Sequence, residues 1–166
     1  MFKSFLKFAL IVVIAQLITY FFAGVIAQLV LGANQFYPPS PTAISYLSDP
    51  HDPAVLAWIV PAQALRGLLF AVVLFPLRQR ILGLGTWVGG LAIAGIIFVM
   101  GYVAASGGMI EHFVYFKPAD YPVKFAAITF VEVLIQTVLM GLMIVPLDKR
   151  FNSVAVPVQL GAAHQG

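Results

Sequence analysis

Long apolar stretches, separated by short polar breaks, set the pattern of this chain. Four of them reach the roughly 20 residues that carry a helix across a bilayer core. They run over about 5–31, 54–77, 84–110 and 123–147. Each is far too long for a strand and apolar all round, as expected of a helix with lipid on one side and neighbours on the other. The breaks carry helix-ending chemistry. Gly32-Ala-Asn34 follows the first run. Asp52-Pro53 precedes the second as an N-cap with proline in the first turn. Asp120 and Pro122 stand at the start of the fourth. The expected fold is therefore all-α: an integral membrane bundle of four transmembrane helices in one domain, residues 1–150. A long outer loop covers 32–53 and a flexible cytoplasmic tail covers 151–166. Within the loop, 42–47 is expected to lie on the membrane surface as a helical turn. The first run exceeds the 7–15 residues of a signal-peptide core, so it is expected to stay in place as a span.

Composition agrees with the pattern. Of 166 residues, 61% are hydrophobic and only 9% are charged, against about 25% charged in soluble domains. The net charge of +3 does not point to nucleic acid, because the cations cluster at the ends of apolar runs instead of forming a basic face. Lys3, Lys7, Arg78, Arg80, Lys149 and Arg150 fall on one side, and Lys117 and Lys124 on the other. That bias places both termini in the cytoplasm and the protein in the plasma (inner) membrane. Trp87 then lies near the inner interface and Trp58 near the outer one. Cysteine is absent, which excludes disulfides, thiolate metal sites and thiol redox chemistry.

Against this apolar background the polar residues inside the runs carry the information. Arg66 sits near the middle of the second run. A guanidinium there costs about 3 kcal/mol on insertion scales. Thirteen Leu, Ile, Val and Phe residues between Val55 and Leu77 offset it with about −4 to −8 kcal/mol, so the span survives the charge. Counted from the outer end at 1.5 Å per residue, Arg66 lies about 18 Å deep and Glu132 of the fourth run about 13 Å. Gln63, Gln136 and Gln16 fall at comparable depths. The expectation is a mid-membrane layer in which the second and fourth spans face each other and Arg66 pairs with Glu132. Glu111, at the outer end of the third run, joins this cavity from above, where a carboxyl in apolar surroundings suits acid–base work.

Two further constellations stand out. Gly90, Ala94, Gly101, Ala105 and Gly108 share one face of the third span, letting another backbone approach closely. Packing within the chain is the first use of such a face; a homodimer or another membrane protein is the second. Asp49, His51 and Asp52 of the outer loop, with Glu111 and His112, form a candidate divalent-metal set. The competing reading of Asp49-Pro-His-Asp-Pro53 is turn and cap chemistry. There is no HExxH motif, phosphate loop or nucleophile elbow, and no cofactor is implied. The functional expectation is an accessory or binding subunit built round the Arg–Glu cluster, with the bilayer and a lipid-soluble molecule or membrane protein as partners. The alternatives are a membrane enzyme using Glu132, Glu111 and Arg66, and a small proton-coupled transporter.

Overall fold

The computed structural model describes residues 2–45, 47–104 and 122–151. These are all helix, turn or irregular chain, with no strand among the described residues. The first helix, α1, is Phe2–Leu29. Gly32, at φ 76°, turns the chain out of it into a short 3-10 turn, Ala33–Phe36. The second helix, α2, is Pro53–Leu74. Its N-terminus is built as the sequence predicts: Pro53 occupies the first turn, and the Asp52 carboxylate accepts the Ala54 N–H at 2.8 Å. At Pro76 the helix does not stop. A 3-10 turn, Phe75–Leu77, takes up the residue that lacks an N–H, and helix resumes as α3, Arg78–Gly83. In an apolar medium a tightened turn keeps backbone groups paired where a break would leave them bare. The second helical unit thus runs over Pro53–Gly83.

Gly85, at φ 86°, makes the sharp reversal into α4, Thr86–Phe98, which continues through a π-helical turn, Val99–Val103. The last helix, α5, is Val123–Phe151, four residues longer than the apolar run suggests. Among the described residues, four helical units are long and apolar enough to cross a membrane.

The packing order is α2 against α1, α1 against α5, and α5 against α4. Helix α1 therefore stands between α2 and α5, and the expected face-to-face contact of the second and fourth spans is not made. Two crossings depend on glycine. A Cβ on Gly67 would come within 2.9 Å of the Val13 Cα on α1. A Cβ on Gly90 would meet the Leu142 side chain at 2.9 Å and the Gly141 carbonyl at 3.2 Å. Gly141 in turn faces the backbone of Gly90 and Ala94. The small-residue face of the third span is consumed inside the chain at Gly90 and Ala94, while Gly101 faces the Phe70 ring of α2. Ala105 and Gly108 lie outside the described residues.

Two apolar clusters hold the ends. At the terminal end, where α1 begins and α5 finishes, Phe8, Val12, Leu74, Ile97, Met140 and Ile144 bring all four long helices together. At the loop end, Phe36 and Ile44 of the connecting segment pack with Ala27 of α1 and with Phe125 and Ile128 of α5. Ile44 is buried, and its N–H donates to the Phe36 carbonyl at 2.9 Å. The first connection therefore folds inward at Ile44, and the Leu47 N–H donates to the Ile44 carbonyl at 3.0 Å in a turn.

Candidate functional site

The polar residues of α1 recur at four-residue spacing: Gln16, Tyr20 and, past Gly24, Gln28. That spacing aligns them on one helix face. Gln16 is fully buried and donates through Nε2 to the Gln63 Oε1 of α2 at 2.7 Å. Its own Oε1 has no partner among the described residues. A buried acceptor left bare costs about 1–3 kcal/mol, so this atom is a standing invitation to a donor.

Above this contact, toward the loop end, the chain leaves a cleft of about 350 Å³. Its walls are mostly apolar: Phe21 and Val25 of α1, and Val55, Leu56 and Ile59 of α2. Tyr37, Ser48 and His51 of the connection form the loop-end rim, and Tyr20 and Glu132 supply polar groups within. The Glu132 carboxylate lies over Gly24: an oxygen stands 3.9 Å from where a Gly24 Cβ would be. Glu132 has no hydrogen bond or ion pair among the described residues. A second hollow of about 250 Å³, beside Pro38 and Pro39, shares Gln28, Tyr37, Pro50 and His51 with the first.

The expected Arg66–Glu132 ion pair is not formed. Gly67, next to Arg66, rests on Val13 and Gln16 of α1, whereas Glu132 reaches α1 at Gly24. Gly24 is eight residues beyond Gln16, about 12 Å along the helix. Counting depth from each helix's own start hid this offset; the register with α1 reveals it. Tyr20, between the two levels, lies within the electrostatic reach of both charges. Arg66 itself is exposed on α2. Gln136 is buried on α5, one turn deeper than Glu132. The layer thus resolves into three parts: a Gln16–Gln63 bond, a Glu132 carboxylate in a cleft, and an exposed Arg66. Glu111 and His112 lie outside the described residues.

Of the metal set, Asp49, His51 and Asp52 are among the described residues. No group of three or more His, Cys, Asp or Glu that could hold a metal ion occurs among the described residues. Asp49 accepts the His51 N–H at 2.8 Å and stands 3.2 Å from the His51 ring, while Asp52 caps α2. Turn and cap chemistry accounts for all three residues.

Among the described residues a buried ion pair forms elsewhere, at charges whose place near the span ends also serves topology. Arg78 Nε donates to Asp148 Oδ2 at 2.6 Å, with the side chains 8% and 0% exposed. Arg78 also donates to Ser4 Oγ at 3.3 Å and lies over the Phe8 ring at 5.8 Å. One guanidinium thereby ties α1, α3 and α5 together. A signal for it was present: Asp148 stands in the last turn of a helix, where the macrodipole disfavours an anion, so it required a cation.

No family model matches the chain, and neither a curated protein nor a solved structure does. The class rests on the fold itself: an all-helical, multi-pass membrane protein.

Proposed function

We propose that this protein is a binding subunit of the plasma membrane, with both termini in the cytoplasm. Its cleft holds an amphipathic small molecule with an apolar body and a polar end that donates to Glu132. The observation that carries this reading is the Glu132 carboxylate, without a hydrogen-bonding partner among the described residues, within a mostly apolar cleft. A few convergent polar groups in an apolar hollow are the usual form of a small-molecule site. Intramembrane carboxylates also lean toward function. Binding is favoured over passage because the polar face of α1 ends, below Gln16, at the apolar cluster of Phe8, Val12, Leu74 and Met140. The orientation rests on six Lys and Arg at the terminal end against Lys117 and Lys124 at the other.

Native mass spectrometry from mild detergent tests the reading. The wild-type chain is expected to retain a small molecule in stoichiometric amount. Glu132→Leu, and Gly24→Leu, which fills the cleft, are expected to lose it while keeping the helical fold. Retention by both variants, or none by the wild type, would sink the proposal.

A further inference from the structure

Arg66 is an exposed cation at the middle of a membrane-spanning unit. It lies thirteen residues beyond Pro53 and twelve before Arg78, about 20 and 18 Å from those ends. The hydrocarbon core is about 30 Å thick, so Arg66 falls close to its midplane, beyond easy snorkelling to either surface. It has no hydrogen bond or ion pair among the described residues. Lipid tails offer a guanidinium nothing.

The chain's own acids do not meet this need. There are six. Asp148 is held by Arg78 at the terminal end. Asp49 and Asp52 belong to the turn and cap at the loop end, and Glu111 and Asp120 fall at that end by sequence. Glu132 lies in the cleft at the level of Gly24. A second copy in the same orientation would repeat these depths and place no carboxylate opposite Arg66.

The surroundings of Arg66 have the form of a docking face. Ala62, Arg66, Leu69 and Val73 are all exposed and follow one another at spacings of four, three and four. That is the seam of a helix pair, with the small Ala62 permitting close approach. Helix α2 buries only Gly67, Ala71 and Leu74 within the chain.

We infer that this face of α2 docks a transmembrane helix of a different protein, one that carries a carboxylate near its midpoint to pair with Arg66. Charge complementarity identifies the partner's chemistry, and the Ala62–Val73 stripe supplies the packing.

The test uses the full chain in vesicles with synthetic leucine–alanine transmembrane helices that carry Glu, Gln or Leu at the centre. Association is read by energy transfer between labels. The Glu helix is expected to bind about tenfold more tightly than the Leu helix. Arg66→Leu is expected to abolish the difference and Arg66→Lys to retain it. Because Arg66 is exposed, Arg66→Leu is expected to keep the native circular dichroism spectrum. Equal binding of the Glu, Gln and Leu helices would overturn the inference, as would a Glu preference that persists in Arg66→Leu. Self-association of the chain that Arg66→Leu abolishes would also overturn it, by making a second copy the occupant.

Discussion

Arg78 and Asp148, seventy residues apart in the chain, meet at 2.6 Å in the buried terminal end of the protein. Such a pair is worth little over an apolar replacement, because both ions were taken out of water to make it. Removing one member is another matter. Asp148→Leu alone, or Arg78→Leu alone, is expected to destabilise the fold by about 3–5 kcal/mol, since the remaining charge stays buried. The double variant Arg78→Leu/Asp148→Leu is expected to recover most of that loss. Denaturant unfolding in micelles checks both. Additive losses would show that the two residues act apart.

The crossing of α4 and α5 gives a sharper contrast within one residue type. Gly141→Ala drives a methyl into the Gly90 backbone, whereas a Cβ at Gly95 meets nothing within 4 Å. Gly141→Ala is expected to cost about 1–3 kcal/mol through overpacking. Gly95→Ala is expected to be neutral or to stabilise by up to about 1 kcal/mol, because alanine is the better helix former. Thermal unfolding of the two variants side by side settles the comparison.

Gln16 and Gln63 are expected to couple. In a double-mutant cycle with leucine at each position, the interaction energy should fall near 0.6–2 kcal/mol, roughly the range of interhelical hydrogen bonds in membranes. Gln63→Leu should be the costlier single change, because it leaves both the Gln16 amide and its bare Oε1 buried. A coupling energy of zero would remove this bond from the list of contacts that hold α1 to α2.

The orientation has a direct check, because the chain contains no cysteine. Gln79→Cys at the terminal end and Ser45→Cys in the first connection, both exposed positions, become unique labels. In intact cells an impermeant thiol reagent is expected to modify Ser45→Cys and to spare Gln79→Cys. The reverse pattern would place the termini outside.

Much of the fold was legible in the sequence, because a bilayer leaves the backbone few choices. Run length predicts the helices, Asp52-Pro53 predicts the start of α2, and Gly90 and Ala94 predict a close crossing. The neighbour relations were not legible. Helical depth alone put Arg66 and Glu132 near one level, yet α1 stands between their helices and fixes each at a different height. The Gln16–Gln63 contact was within reach of depth counting, which had already grouped the two residues. The Arg78–Asp148 pair was missed for a different reason: charges at the ends of spans also serve topology, and that use masked the structural one.

The inward fold of the first connection has a consequence for how the protein is made. The Phe36 and Phe125 rings meet at a tilt with centroids 5.2 Å apart, and Lys124 Nζ donates to Gln35 Oε1 at 3.2 Å. Both partners on α5 emerge from the ribosome some ninety residues after the segment they hold. Ala33 and Tyr37, within and beside that segment, line the cleft, and so does Glu132 of α5. The cleft therefore acquires its last walls only when the final helix enters the membrane, and a nascent chain that stops at α4 has α1 and α2 in contact but no finished site.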